Sequence, residues 1–200
     1  MQYALKLASI FFTMILVDNY VLAKFLGICP FLGVSKKLDS AFGMSLAVTF
    51  VMVMATAVTW PIYTYILAPF GMAYLQTIVF ILIIAILVQL LENVLKKYVP
   101  SLYKALGVYL PLITTNCTIL GVTILNLDNG YDYVESLVCA AGAGIGFLVA
   151  MVLFSGVRRR VELAKPPKSF EGLPITLVSA AMVSLSFMGF GGIVEAIFGA

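Results

Sequence analysis

The sequence contains no histidine, and only 10% of its 200 residues are charged. Without imidazole, this chain cannot itself provide axial histidine ligation of haem, Rieske-type ligation or a histidine proton relay. An ordinary globular domain has about a quarter charged residues, so the chain is too apolar to be a water-soluble domain. It also lacks a basic soluble segment interleaved with aromatic residues, which argues against nucleic-acid binding.

Apolar residues take the place of the missing charge. They make up 62% of the chain, and the mean hydropathy is +1.11. This composition indicates an integral membrane protein, and we predict an all-α one. The first residues show no basic cluster followed by a small-residue cleavage site, so we expect no removable signal peptide.

Charge-free windows predict six transmembrane segments, since a helix needs roughly 20 apolar residues to cross the hydrocarbon. The first apolar region, Leu7–Ser35, is interrupted by Asp18, Asn19 and Lys24. A straight helix of this length would measure about 44 Å, so we predict one crossing by a broken helix, with the break near Gly27–Gly33. The other five segments are predicted at residues 41–60, 74–95, 105–127, 136–157 and 172–194.

The charged residues predict the orientation. The first, third and fifth loops hold 10 of the 12 basic residues, whereas the fourth is acidic. The positive-inside rule therefore puts the odd loops in the cytoplasm and both termini outside. Within the fifth loop, Arg158–Arg160 is interpreted as a topological anchor, and the alternative is that it docks a cytoplasmic subunit.

A short repeat suggests the architecture. The run Cys-Pro-Phe-Leu-Gly-Val begins at Cys29, and Cys-Thr-Ile-Leu-Gly-Val begins at Cys117, 88 residues later. Three crossings separate the two cysteines, and an odd number inverts the second copy. We therefore predict a single membrane domain of two inverted three-helix repeats, about 1–98 and 99–200. Helices one and four would be broken near the midplane.

The cysteines are the candidate metal ligands. A lone buried cysteine usually packs as a small hydrophobe, and this is the prediction for Cys139. For Cys29 and Cys117 the repeat favours a metal site over packing or a disulfide. A tetrahedral iron or iron–sulfur site requires four thiolates, so a partner chain would have to supply two more. The spacing of the two cysteines does not decide whether the site holds one iron or two.

Three stretches of the sequence carry a resemblance to a known family. Asp18–Lys37, Tyr109–Asn126 and Leu185–Gly192 resemble the first, fourth and last helix regions of the A-subunit family of the Rnf complex. The resemblance spans essentially the whole chain. The nearest relatives to exclude are the E subunits of Rnf and of the sodium-translocating NADH:quinone reductase (Nqr). The Cys-Pro-Phe-Leu-Gly-Val-Ser-Lys-Lys run and the outward termini favour the A subunit.

This resemblance implies a function and a set of partners. The complex is a ferredoxin:NAD oxidoreductase that translocates Na⁺ or H⁺ across the bacterial or archaeal cytoplasmic (inner) membrane. The A subunit shares one [2Fe-2S] cluster with a homologous E-type subunit, and the ligands carried over to this chain are Cys29 and Cys117. Electrons would pass between the B subunit inside and the covalently bound flavin of the G subunit outside, with C and D completing the complex. The chain alone would perform no turnover.

Residues around the cysteines are candidates for tuning the cluster. Backbone amides can donate hydrogen bonds to cluster sulfurs and adjust the potential. Close helix packing is the alternative for the glycines, and ordinary interhelical hydrogen bonding is the alternative for asparagine. The candidates are Gly27, Gly33, Asn116 and Gly121.

A second set is predicted to couple electron transfer to ion movement. An intramembrane ionisable residue is a functional hypothesis by default, and this applies to Asp18 and Lys24. Asp18 could instead lie at the membrane edge, and Lys24 could bind lipid or a subunit. Thr114 and Thr115 are oxygen-bearing neighbours of Cys117, with interhelical hydrogen bonding as their alternative.

Two other functional classes remain open. A secondary ion transporter or channel also suits inverted repeats with broken helices, and a non-catalytic assembly scaffold is a third hypothesis. A transporter would tolerate loss of both Cys29 and Cys117, whereas a redox subunit would lose its iron. The scaffold would keep electron flow in the same variants.

Overall fold

The computed structural model describes residues 2–35, 38–98, 110–164 and 167–189. Within these ranges the secondary structure is helical and contains no strand, which confirms the all-α prediction. The α-helices in these ranges are α1 (Gln2–Leu16), α2 (Ile28–Val34), α3 (Leu38–Ile62), α4 (Gln76–Tyr98), α5 (Leu110–Thr114), α6 (Cys117–Asp128), α7 (Tyr133–Leu163) and α8 (Leu173–Met188).

Helix α7 is the central element, and it packs mainly against α3 and α1. Its glycines allow this close approach. A Cβ atom on Gly146 would lie 2.9 Å from the Met14 carbonyl oxygen of α1, and Gly142 faces the same helix. A Cβ atom on Gly144 would lie 2.5 Å from Thr49 Cγ2 of α3. Small residues are the usual means of close helix packing in membranes, where apolar burial between helices contributes little.

The chain from α1 to α2 runs alongside α7 in the same direction. At one end, Lys6 Nζ lies 2.6 Å from Glu135 Oε1. At the other end, Arg158 Nη1 donates to the Leu32 carbonyl oxygen. Glu135 and Arg158 are separated by about 35 Å of helix, close to the roughly 30 Å thickness of the bilayer hydrocarbon. The first helix and its break therefore cover about one bilayer thickness.

The helix bounds differ from the predicted ones in three main places. Helix α7 extends beyond the predicted 136–157 to Leu163, so Arg158–Arg160 lie in its last turns rather than in the predicted fifth loop. The break in the first segment lies between Leu16 and Ile28, so Gly33 belongs to α2 rather than to the break. Helix α3 continues through Pro61 into a π-helical turn, Tyr63–Leu67. Proline removes one backbone donor inside the helix, and the chain continues past it as α-helix and then as the π-helical turn. Residues 105–109 and 190–194 of the predicted segments lie outside the described ranges.

Three described helical stretches are long and apolar enough to cross a membrane, namely Ser40–Leu67, Gln76–Val94 and Tyr133–Val161. Three shorter apolar helical stretches are Tyr3–Leu16, Leu112–Asp128 and Leu173–Met188. The first of these ends at the break before α2, and the second contains a second break, Thr115–Asn116, between α5 and α6. The six crossings and the inverted repeat stay predictions.

We expect Gly146→Ala to destabilise the fold, because the added methyl group would press on the backbone of α1. Gly156→Ala is the matched control in the same helix, since nothing lies within 4 Å of its added Cβ. Alanine is favoured over glycine in helices by about 1 kcal/mol, so the control should be neutral or stabilising. Thermal unfolding in detergent would measure both, and equal melting temperatures would contradict the packing described for α7.

Candidate metal centre at two helix breaks

The first break begins with a buried asparagine that the sequence interpretation did not single out. Asn19 is 1% exposed. Its Nδ2 donates to the carbonyl oxygens of Ile15, at 3.3 Å, and Gly146, at 2.8 Å. Its Oδ1 accepts from the Val21 amide at 3.1 Å. One side chain thus satisfies backbone groups freed where α1 ends. The sequence feature that could have identified Asn19 is a carboxamide side chain inside an apolar stretch.

The break then turns sharply toward α2. Phe25 has φ of 54° and Gly27 has φ of 80°, both in the left-handed region. The Leu26 amide donates to the Tyr20 carbonyl oxygen at 2.8 Å, which closes the turn. From α8, Ser184 Oγ donates to the Leu22 carbonyl oxygen. The break is therefore an ordered turn with its own hydrogen bonds.

The turn brings the first break to the second. The Gly27 amide donates to Cys117 Sγ at 2.9 Å. A Cβ atom on Gly27 would overlap the Thr118 hydroxyl and lie 3.0 Å from the Phe147 ring. Only glycine fits here, both for its left-handed backbone and for this close approach. Since Cys29 follows Gly27 by two residues, the geometry brings both cysteine motifs into one region.

The two cysteines differ from the third. Cys29 and Cys117 are exposed on the surface of the chain, whereas Cys139 is fully buried. Cys139 belongs to the apolar core, and its Sγ lies 4.0 Å from the Tyr20 hydroxyl. The packing role predicted for Cys139 matches this position. Cys117 is the first residue of α6.

Asn116 precedes Cys117 and caps α6. Its Oδ1 accepts from the Thr118 amide at 3.0 Å, as expected of a helix N-cap. Its Nδ2 and the Thr118 hydroxyl are buried and have no hydrogen-bond partner among the described residues. A buried unpartnered donor is costly, so the Asn116 carboxamide is a donor that requires an acceptor.

The predicted glycines fall into two groups. Gly27 donates directly to a cysteine sulfur, as described. Gly33 and Gly121 lie inside α2 and α6, where an amide ordinarily bonds the carbonyl four residues earlier. A Cβ atom on Gly121 would lie 2.7 Å from Leu26 Cδ1, so this glycine provides close packing for the turn. Their predicted tuning roles stay predictions.

The residues predicted for ion coupling lie at the two breaks. Asp18 is half-buried just beyond α1. Lys24 is exposed, and its Nζ lies 5.1 Å from the centroid of the Tyr20 ring, a cation–π distance. Thr114 ends α5 and Thr115 lies in the second break. The structure thus distributes the four between both breaks, and their roles stay predictions.

The basic cluster at the end of α7 is not uniform. Arg159 and Arg160 are exposed, which agrees with an anchor role. Arg158 is 9% exposed, and its Nη1 donates to the Leu32 carbonyl oxygen at 2.5 Å and to Ser35 Oγ at 2.8 Å. For Arg158 the anchor interpretation is incomplete, because the sequence could not show which arginine turns inward.

The donor set fits half of a thiolate site. Among the described residues, no group of three or more His, Cys, Asp or Glu side chains comes together. The chain offers two accessible thiols, one of which accepts an amide hydrogen bond. An iron–sulfur cluster held by cysteine takes four thiolates, so these residues can provide two of them at a surface that another chain can reach.

Comparison with known proteins identifies the family. Residues 7–194 match the family model described as "Rnf-Nqr subunit, membrane protein". The chain is 53% identical to the A subunit of the Na⁺-translocating ferredoxin:NAD⁺ oxidoreductase complex of Acetobacterium woodii, over 94% of this chain and 98% of that protein.

Two further relatives carry a similar name. The A subunit of the ion-translocating oxidoreductase complex of Syntrophotalea carbinolica is 53% identical over 90% of this chain and 93% of its own length. The protein of the same name from Aliivibrio salmonicida is 51% identical over 90% and 94%. These matches confirm the resemblance inferred from the cysteine motifs, and the chain belongs to the Rnf-Nqr family of membrane subunits.

Proposed function

We propose that this chain is the A-type membrane subunit of an ion-translocating ferredoxin:NAD oxidoreductase. In this proposal Cys29 and Cys117 hold half of a [2Fe-2S] cluster within the membrane, and a homologous inverted subunit supplies the other two thiolates. The observation that carries the proposal is the hydrogen bond from the Gly27 amide to Cys117 Sγ. It joins the two helix breaks and thereby the two cysteine motifs.

The electrostatics of the site support this role. A thiolate, rather than a thiol, ligates metal. Cys117 accepts an amide hydrogen bond and begins a 12-residue helix, and both features stabilise a negative sulfur. The unpartnered Asn116 Nδ2 is a further donor in the same region. When bound, a [2Fe-2S] cluster supplies one-electron transfer, and donors near its sulfurs raise its potential.

Ion coupling is assigned to the breaks. A cluster held by the two cysteines would supply one-electron chemistry, and its added negative charge on reduction would attract a cation where the dielectric is low. Broken helices present backbone carbonyls and helix ends to such a cation. Asp18, Thr114 and Thr115 add oxygen ligands for the cation. Lys24 adds a positive charge, and a moving cation would either displace the Lys24 ammonium group or be repelled by it. The ion is Na⁺ or H⁺.

The orientation and the partners complete the proposal. We place the chain in the bacterial or archaeal cytoplasmic (inner) membrane with both termini outside, as six crossings in two inverted repeats. The Lys6–Glu135 ion pair supports this, because it puts the N-terminal end of α1 beside the acidic fourth loop. On the inside, the B subunit would deliver or accept electrons. On the outside, the flavin of the G subunit would do so, and the C and D subunits belong to the same complex.

Three other functions make different demands on the cysteines. The corresponding subunit of an Nqr enzyme would share the site but act with quinone. A secondary ion transporter would need neither exposed thiol, and an assembly scaffold would hold partners without carrying electrons. The names of the relatives favour the first proposal, and all four can be separated experimentally.

Cys29→Ser and Cys117→Ser should each remove the cluster from the purified complex, since either change leaves an incomplete ligand set. Cys139→Ala is the matched control, because this thiol is buried in the core. Iron and acid-labile sulfide analysis with EPR would measure the outcome. Full iron content in both serine variants would refute the metal site. Loss of iron with unchanged electron flow would instead support a scaffold.

We expect Gly27→Ala to lower the cluster's midpoint potential or its occupancy, since the methyl group would push the turn away from Cys117. A charge-assisted hydrogen bond is worth about 1.5 kcal/mol, so losing a bond that forms only in the reduced state would lower the potential by roughly 60 mV for one electron. Gly43→Ala is the control, because nothing lies within 4 Å of its added Cβ. Redox titration would measure both, and identical potentials would remove Gly27 from the site.

Lys24→Met and Asp18→Asn should change the number of ions moved per electron, because each alters the charge at the first break. Lys168→Met and Asp128→Asn are controls at exposed positions outside the breaks. Reconstituted complex in vesicles, with ion uptake measured against NADH formation, gives the ratio. Unchanged ratios in both break variants would exclude these residues from coupling.

A further inference from the structure

The short helix that carries Cys29 is held at its C-terminal end by one face of α7. Arg158 Nη1 donates to the Leu32 carbonyl oxygen and to Ser35 Oγ. One turn earlier on α7, Phe154 stacks on Phe31, with 4.1 Å between ring centroids and an interplanar angle of 24°. Phe154 and Arg158 are four residues apart and therefore lie on the same face of α7. Together they form a two-point clamp on α2.

Helix α2 depends on such external support. It has seven residues, and isolated helices shorter than about 12 residues are marginal even in water. The last carbonyls of any helix lack intrahelical partners and must be satisfied from outside, especially in an apolar environment. The guanidinium supplies this partner, and its positive charge is favourable at the negative end of the helix dipole. The Leu32 carbonyl and the Ser35 hydroxyl in turn provide the acceptors that a buried guanidinium requires.

The clamp acts close to the cysteine. Cys29 precedes Leu32 by three residues, which is about 4.5 Å along the helix axis. A seven-residue helix moves as a rigid piece, so releasing one end displaces the sulfur at the other. We infer that Arg158 is a positioning residue that fixes the Cys29 sulfur through α2 and adds positive charge beside it. The part that concerns the cluster rests on the proposed function.

An anchor that only sets topology would make a different prediction. Arg159 is the next residue, carries the same charge and is exposed. Loss of charge at the membrane surface is therefore equal in Arg158→Gln and Arg159→Gln, whereas only the first removes contacts to α2. Arg158→Lys retains the charge but replaces the planar guanidinium. Lysine is a poor substitute where two acceptors are bound.

The first test uses the chain without metal or partners. Nitroxide labels on the accessible Cys29 and Cys117 report their separation by dipolar broadening of the continuous-wave EPR spectrum, and Cys139 stays unlabelled while the core is intact. We expect Arg158→Gln to shift and broaden the distance distribution, Arg158→Lys to do so less, and Arg159→Gln to leave it unchanged. The same distribution in all of these variants would overturn the inference.

If the Arg158→Gln variant takes up a third nitroxide label, Cys139 has become accessible and the core is lost. Ser35→Ala then decides, because it removes one acceptor and leaves the arginine in place. A smaller shift of the Cys29–Cys117 distance in the same direction supports the clamp, and an unchanged distance overturns it. This test does not involve iron, so it stands even if the proposed cluster is wrong.

The second test uses the assembled complex. If the cluster is present, Arg158→Gln should lower its midpoint potential or its iron content, while Arg159→Gln should match the unaltered complex. A potential equal to that of the unaltered complex, with the distance change still present, would limit Arg158 to holding α2. If the unaltered complex contains no iron, the proposed function fails, and the distance measurement alone judges the clamp.

Discussion

Lipid cannot hydrogen-bond a peptide group, so every interruption of a membrane helix has to satisfy its own backbone. The site of this protein depends on that constraint. Where α1 ends, the Asn19 carboxamide bonds two carbonyls and one amide. Where α6 begins, Asn116 caps the first turn. The Gly27 amide, which has no helical partner, bonds the sulfur of Cys117. A backbone requirement thus places an N–H donor on a candidate metal ligand.

Helix α7 makes these arrangements possible because it is a long, regular helix, and the broken first helix packs against it on both sides of the break. Its glycines let the backbone of α1 approach closely, and Gly146 also offers its carbonyl to Asn19. Further along α7, Phe154 and Arg158 hold α2. The break between these two attachment points is kept in place at both ends. Its geometry is therefore determined by a regular helix rather than by the irregular segment itself.

The result is a surface with two accessible thiols and no complete metal site within the described residues. Such incompleteness is expected of a subunit that shares its cofactor across an interface. Thiolates are soft ligands suited to iron–sulfur clusters, and the Gly27 amide donates a hydrogen bond to the Cys117 sulfur. The relatives belong to redox complexes by name, and the proposed shared cluster would account for both the exposure of the cysteines and their number.

The sequence by itself determined that the protein lies in a membrane and which two cysteines are the candidate ligands. Composition alone required a membrane and helices, because a chain this apolar can be buried only in lipid. The repeated Cys-x-x-Leu-Gly-Val motif singled out Cys29 and Cys117 from Cys139, and the same motifs identified the family. The tertiary structure alone decided where the first helix breaks, that Asn19 closes it, that Gly27 reaches Cys117, and that Arg158 rather than Arg159 turns inward. These features depend on contacts between residues 90 to 127 positions apart. Local periodicity carries no information about such contacts, since a buried and an exposed arginine read alike along the chain.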